Sequence, residues 1–286
     1  MLRILYLLLF LSFLAQPLAA QKKFDYDPQT ESVYRVRTLY EGLGGLALMV
    51  GGTAGIDKVR DKSTISDATL DRLALSQVNR LDRWGLGRDA LKRRSSEEVS
   101  DQVFNLSILL PVGLMIDRKF RKDWLDLGVL YLEAHALSAA TYSFSPIGAR
   151  FVDRYRPVAY YDELSYDDRR AGNNKNSFFS GHVSTVAVGT FFFTKVLSDY
   201  NPQWTGGQRA IAFTLATLPP AFVAVQRVRA LKHFPTDTAV GLAVGAFFGV
   251  MVPHVHKVWQ RNHRTRLSLG GGYRDGIGNG GLVLTF

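Results

Sequence analysis

The stretch Asn176 to Ala187, NSFFSGHVSTVA, sets a Ser-Gly-His triplet directly before an apolar run rich in small residues. A histidine that only filled a core position could lie anywhere on a buried face. Ser-Gly ahead of it instead suggests a loop with accessible backbone N–H groups, opening a helix near Val183. Four more apolar runs of similar length surround it, so that 103–116, 125–142, 183–197, 210–225 and 238–252 all read as helices. The expected fold is all-α: a bundle of five to six apolar helices, membrane-embedded, with a short C-terminal β-hairpin where 267–286 alternates around Gly-Asn-Gly. One hairpin cannot close a barrel, which makes it an appended ribbon.

The segment lengths lie at or just under the roughly 20 residues that a bilayer core of about 30 Å requires, so length alone fits a buried bundle as well as a membrane one. Charge placement separates them further. If the five segments span, DRKFRKD (117–123) and HKVWQRNHRTR (256–266) share one side, while the loops holding Arg156, His182 and His233 share the other. Basic residues favour the cytoplasmic side, which turns the histidine loops outward. This requires that the glycine-rich run 42–56 not cross; it reads as a packed or re-entrant segment.

The chain has 286 residues, 47% of them apolar, and a net charge of +10. Such a charge fits nucleic acid, an anionic membrane surface or an acidic substrate. Residues 1–20 carry an early arginine, an apolar run and small residues before Gln21, the pattern of a secretory signal, with an uncleaved anchor as the other reading. Entry into an export pathway argues against a nucleic-acid partner. No cysteine occurs, which removes disulfides, thiol nucleophiles and thiolate metal sites. The chain divides into a signal peptide (1–20), an N-terminal helical segment and linker (21–101), a helical core (102–259), and a basic tail with hairpin (260–286). Within the second part, 67–84 has the period of a surface helix, and RDALKRRSSEE (88–98) reads as a solvated linker.

Three clusters fall in or beside the outward loops: RFVDRYRP (150–157), SFFSGHVS (177–184) and QRVRALKHFPTD (226–237). Each alone is a weak signal. Together they supply guanidinium groups, two histidines, one carboxylate and a helix N-terminus, an inventory suited to phosphoryl groups. A histidine that attacks phosphorus needs its proton held on the other ring nitrogen. Asp237, in the first turn of a helix opened by Pro235, is positioned to reach back to His233 for that purpose. His182 can then protonate the departing oxygen.

On these residues the sequence resembles the type 2 phosphatidic acid phosphatases, which share a fold with vanadium haloperoxidases and class A acid phosphatases. That pattern is Lys-x6-Arg-Pro, Pro-Ser-Gly-His and Ser-Arg-x5-His-x3-Asp. It is matched in order by Arg156-Pro157, by Ser180-Gly181-His182, and by Arg227, His233 and Asp237. The resemblance implies that His233 is the nucleophile of a phosphohistidine intermediate, that Asp237 orients it, and that His182 is the acid. Arg156, Arg227, Ser180 and Gly181 would hold the phosphate. Ala149 stands where the pattern has lysine, leaving Arg150 as the neighbouring substitute; Phe179 replaces proline and Gln226 replaces serine.

No metal or other cofactor is implied. The acidic loop YYDELSYDDRR (160–170) lacks ordered ligand spacing and reads as solvated, a candidate lid. The expected activity is metal-independent hydrolysis of a lipid phosphate or diphosphate on the outer side of the cytoplasmic membrane. The expected partners are a phosphorylated lipid or small phosphate ester and the membrane. A soluble periplasmic acid phosphatase and a vanadate-dependent haloperoxidase are the alternatives on the same fold, and a non-catalytic membrane protein is the alternative outside it.

Overall fold

The structure, a computed structural model, describes residues 32–83, 89–264, 266–274 and 277–285. The leader at 1–20 lies outside the described residues. Seven longer helices form the molecule: α1 (Thr38–Arg60), α2 (Arg93–Ile108), α3 (Trp124–Phe144), α4 (Gly181–Asp199), α5 (Gly206–Ala216), α6 (Leu218–Arg229) and α7 (Pro235–Arg264). After α7, two strands, β1 (Arg266–Arg274) and β2 (Ile277–Thr285), pair antiparallel, with Arg266 opposite Thr285 and Arg274 opposite Ile277.

The core pair is α4 against α7, and glycine sets their distance. Gly241, Gly245 and Gly249 repeat every fourth residue along α7 and face the α4 backbone. A Cβ on Gly241 would come within 2.4 Å of the Ser180 carbonyl oxygen, and one on Gly245 within 2.1 Å of the Ser184 carbonyl. Only a residue without a side chain fits there. The contact carries the start of α7, with Asp237, onto the start of α4, with His182. Phe192, Val188, Val196 and Leu130 fill the interior beside it, each 0% exposed.

One expectation is narrowed to its packed alternative and three are corrected. The run 42–56 is the middle of α1, a continuous 23-residue helix packed along α3, where Gly52 and Gly55 let Ala139 and Ser143 approach. Glu41 in its first turn lies by His256, and Gly55 near its end lies by Phe144, so α1 runs the length of the bundle. The region 67–84 is not one helix: Ser66 caps Asp67–Leu70, and Asn79 Oδ1 accepts from Asp82 N to start Arg80–Arg83. Side chains that cap new starts break the periodic run. The expected linker 88–98 ends inside α2, which begins at Arg93 and crosses the boundary drawn at 101, while α7 crosses the one drawn at 259. Finally, the apolar run 210–225 is divided between α5 and α6, because Pro219 and Pro220 lack the N–H that would continue a helix.

Three stretches, Arg93–Ile116, Gly206–Arg229 and Pro235–Arg261, are long and apolar enough to cross a membrane. Large apolar side chains point outward along several helices: Leu106 and Val112, Ile211 and Leu215, Phe222 and Val225 are all exposed. This outward apolar surface fits a membrane location.

Candidate active site

Backbone hydrogen bonds join the three sequence clusters. Residues 154–156 run beside 174–177: Arg154 N donates to Lys175 O (2.9 Å), Arg156 N to Asn174 O (2.7 Å) and Ser177 N to Arg154 O (2.9 Å). Ser180 N donates to Asp237 O (3.1 Å), tying the second cluster to the third, and Val158 N donates to Leu231 O (3.1 Å), tying the first to the third. Segments from the three clusters, more than fifty positions apart in places, thereby lie side by side.

His233 is 2% exposed, and its Nδ1 lies 2.6 Å from the Ser177 carbonyl oxygen. A carbonyl only accepts, so Nδ1 carries the hydrogen and Nε2 keeps its lone pair. Burial, then the charges of Arg156 and Arg227, hold this imidazole well below its ordinary value of 6.5. It is neutral at neutral pH, as a nucleophile at Nε2 requires.

The expected direct contact between Asp237 and His233 is corrected. Asp237 Oδ2 accepts from Ser177 Oγ (2.6 Å) and from Phe234 N (2.7 Å), and Oδ1 pairs with Arg154. In the first turn of α7 the carboxylate is drawn to the free backbone N–H behind it. Asp237 therefore acts on His233 through the residues that carry it and the residue that accepts from it. Arg154 in turn pairs with Asp82, which is fully buried and also accepts from Thr236 N (3.0 Å). Burial works against the Asp82 carboxylate, but these hydrogen bonds win and keep it below the ordinary carboxylate range.

His182 sits one residue inside α4. Its Nε2 is 3.1 Å from Asp101 Oδ1, so this nitrogen carries a proton facing the carboxylate, and its ring lies 4.7 Å from that of Phe104. Ser180 is the cap of α4: its side chain accepts from Val183 N, and its own N–H is taken by Asp237. It shapes the turn and offers no N–H of its own. Gly181 N and His182 N, which follow it, find no acceptor among the described residues and are the helix-end donors available to an anion.

Arg227 donates from Nη1 to Ser100 Oγ (3.2 Å) and Asp101 Oδ1 (3.1 Å). Arg156 reaches only Asn173 Oδ1, at 3.4 Å. Both are nearly fully buried, 7% exposed for Arg156 and 4% for Arg227, and the Nε of each has no hydrogen-bond partner. Their charges act on both imidazoles, and His182 acts on His233, so the four groups form one electrostatic unit. Arg150 is not part of it. The turn after α3 that buries Ala149 leaves Arg150 exposed, its guanidinium 5.8 Å from the Phe151 ring, and no contact joins it to either histidine among the described residues.

Sequence reasoning missed the face that α2 presents to this pocket. Asp101 meets His182 and Arg227, Ser100 meets Arg227, and Glu97 lies 2.7 Å from Lys232 Nζ. Glu97 and Asp101, one turn apart, carried no motif in a run that reads as polar helix or linker. The acidic loop expected as a lid is fastened instead: Tyr166 OH donates to Asp71 (2.7 Å), Arg93 pairs with Asp168 (3.1 Å), and Arg169 donates to Ala159 O. Two open cavities flank the region, about 400 and 480 Å³, and neither includes His182 or His233 among its lining residues. Among the described residues, one group elsewhere has ligand atoms close enough for a metal: Glu41, Glu133 and His256, at the far end of α7. There His256 Nδ1 donates to Arg35 O (2.7 Å) and Nε2 lies 3.2 Å from Glu133.

Comparison with curated proteins finds no match. Among solved structures, similarity is found to the first transmembrane PAP2 type phosphatidylglycerolphosphate phosphatase from Bacillus subtilis. The identity is 15% and the TM-score 0.41, covering 78% of this chain and 98% of that one. That likeness is too distant to assign residues. Residues 127–261 match the model of the PAP2 superfamily. That segment, which holds Arg156, His182, Arg227, His233 and Asp237 alike, is similar to the PAP2 superfamily, whose members are phosphatases.

Proposed function

We propose that this phosphatase hydrolyses a lipid phosphate or diphosphate through a phosphohistidine, with its pocket on the outer side of the cytoplasmic membrane. One observation carries the reading: two almost fully buried guanidinium groups, each with an unpartnered Nε, beside two imidazoles and the N-terminus of α4. Buried N–H donors without acceptors are costly, and an anion with several oxygens supplies what they lack.

In the proposed sequence His233 Nε2 attacks phosphorus while Nδ1–H stays on the Ser177 carbonyl. The bond from phosphorus to the leaving oxygen breaks, and His182 gives that oxygen its Nε2 proton; burial and the charges of Arg227 and Arg156 hold its ring well below 6.5 in the unliganded site, so it acts as an acid only after binding of the phosphate anion offsets those charges and a second proton is taken up at the ring. Water then attacks the phosphohistidine, returns a proton to His182, and releases inorganic phosphate with Nε2 free again. Arg156, Arg227 and the N–H groups of Gly181 and His182 neutralise the equatorial oxygens. Ser180 and Asp237 hold the loops. No step in this sequence requires a metal ion.

The outward face is supported by charge. Lys119, Lys257 and Asp199 gather at the end of the bundle away from His182 and His233, where Lys119 Nζ donates to Asn201 (2.9 Å) and Lys257 Nζ to Asp199 (2.8 Å). Basic loops there favour the cytoplasm. Because α1 runs the whole bundle, the condition that 42–56 not cross is not met, and the proposed sidedness rests on charge and not on the leader. The chain has no cysteine, so single cysteines introduced at Arg118 and at Asp162 can report sides directly. An impermeant reagent should label position 162 and spare 118 in intact cells.

The activity is tested with purified protein on phosphatidic acid, phosphatidylglycerol phosphate, a polyprenyl diphosphate and a phosphorylated glycolipid, each with chelator present. Phosphate release that survives chelator and is lost in His233→Ala supports the reading. Release that chelator abolishes, or that His233→Ala retains, defeats it.

A further inference from the structure

The pocket lacks the lysine of its family pattern at position 149, and the structure points to where that charge has gone. Ala149 is fully buried, and its carbonyl accepts from Lys62 Nζ (2.6 Å), which also pairs with Asp153, outside the pocket. Arg150 is exposed on Phe151. Neither supplies a cation. Immediately before His233, however, stands Lys232, for which the family pattern specifies no residue type.

We propose that Lys232 is the third cation on the phosphate, in place of the absent lysine, and that Glu97 holds it until substrate arrives. The assignment rests on the phosphatase reading above. Leu231 is buried at φ 57, a conformation costly for a branched residue, and it turns the chain sharply out of α6. Lys232 N donates back to Arg227 O (3.1 Å), so Lys232 starts its course beside a phosphate arginine. The side chain is 27% exposed, and its Nζ lies 2.7 Å from Glu97 Oε1. Its charge acts on His182, and the charges of Arg156 and Arg227 act on it. Burial, then these like charges, keep the ammonium below the ordinary lysine value against its pairing with Glu97.

An ammonium has three donors on a flexible stem, and among the described residues Glu97 is the one acceptor of this one. Glu97 stands one helical turn before Asp101, which meets Arg227 and His182 in the same manner. The α2 face thus sets two carboxylates against the cations of the pocket. A phosphate dianion offers those cations the same kind of acceptor, so Lys232 exchanges Glu97 for a phosphate oxygen by a side-chain rotation.

The test uses full-length enzyme in detergent, with inorganic phosphate as a competitive inhibitor of lipid phosphate hydrolysis. Lys232→Gln should weaken phosphate inhibition about tenfold, the scale of one lost charged hydrogen bond, and lower kcat/KM. Glu97→Gln should tighten inhibition several-fold by freeing the ammonium, and Arg150→Gln should change nothing. A pair that served only to hold α2 would give the two variants effects of the same sign on melting temperature and leave inhibition unchanged. That result, or a loss in Arg150→Gln matching that expected of Lys232→Gln, overturns the assignment. If Lys232→Gln does not fold, Lys232→Arg must keep inhibition within about twofold, as the retained charge requires, and failure to do so overturns it equally. Wild-type enzyme that neither releases nor binds phosphate overturns the phosphatase reading itself. Wild-type enzyme that does both, beside an unchanged Lys232→Gln, overturns this assignment alone.

Discussion

The helix pair α4 and α7 carries a buried charged cluster at each end, and the two are built on opposite plans. At the far end Asp199 accepts from Lys195, from Lys257 Nζ (2.8 Å) and from Tyr34 OH (3.0 Å), so its carboxylate is fully occupied inside the protein. At the near end, about 25 Å away along α4 by helical rise, Arg156 has one long contact and both Arg156 and Arg227 keep an Nε without a partner. A closed cluster fixes the fold, whereas an open one must be completed from outside. On the proposed reading, the same helices serve stability at one end and binding at the other.

The sharpest way to break this contrast is to remove one group from each end. His233→Ala should lower kcat roughly 10³-fold or more, as expected for a nucleophile, while the melting temperature stays level or rises, since a buried imidazole among cations is removed. Asp199→Ala should do the reverse. It leaves Lys195 buried without its counter-charge, at a cost of about 3–5 kcal/mol, while kcat per folded molecule stays near wild type. Thermal unfolding and phosphate release on the same preparations decide it, and two variants that lose both properties together would erase the distinction.

Between the two ends lies Gly245, whose replacement should harm both. In Gly245→Ala the new methyl group meets the Ser184 carbonyl oxygen at 2.1 Å and Ala187 Cβ at 2.7 Å, which forces the helices apart. About 1–3 kcal/mol of stability should go, and kcat should fall with it, because Asp237 and His182 are carried by the separating helices. Unchanged kcat in a destabilised variant would show that the near end holds its geometry without the helix contact.

A smaller effect separates the ends by pH. His233 is held below 6.5 in the folded state, so under that pH the unfolded chain binds a proton that the folded chain refuses. Stability present above the unfolded value is lost as pH falls, at up to about 1.4 kcal/mol per pH unit below 6.5 for this one group. The unliganded enzyme should melt lower at pH 5.5 than at pH 7, and His233→Gln should remove part of that difference. An equal slope in the variant would mean that other groups account for it.

What the sequence made legible follows from what spacing can express. Arg156-Pro157, Ser180-Gly181-His182 and Arg227 with His233 and Asp237 each lie within one short stretch, where loop and helix start fix the side chains. The apolar runs gave the helices for the same reason. Partners contributed singly from distant helices left no such mark. Asp82 reaches Arg154 across 72 positions, and Arg227 reaches Asp101 across 126. The choice between Ser177 and Asp237 as the partner of His233 turned on the free N–H of Phe234, a detail of backbone geometry that the spacing of His and Asp does not encode. Gly42 to Ile56 left two readings open, packed or re-entrant, because glycine signals both a broken helix and a helix packed closely against another, and here the second holds.

Asp101 is where the two plans meet, since it is the one carboxylate touching both His182 and Arg227, and its side chain is 45% exposed. Its oxygen stands 3.1 Å from the nitrogen that would protonate the leaving group and 3.1 Å from a guanidinium that would hold the phosphate, which is the kind of position a substrate oxygen must take. If Asp101 is a stand-in for that oxygen, Asp101→Asn should let inorganic phosphate inhibit more tightly, because a neutral amide competes less well for the two cations. The gain should be modest, about two- to fivefold, since a half-exposed pair contributes at most about 1 kcal/mol. If Asp101 instead serves chiefly to keep the proton on His182, phosphate inhibition will not tighten, and the limb on which kcat falls with rising pH will move to lower pH as the imidazolium loses its counter-charge. The two outcomes are read from one inhibition series and one pH profile, and tightening without a pH shift would mean that α2 closes the open end in the resting enzyme with a borrowed carboxylate.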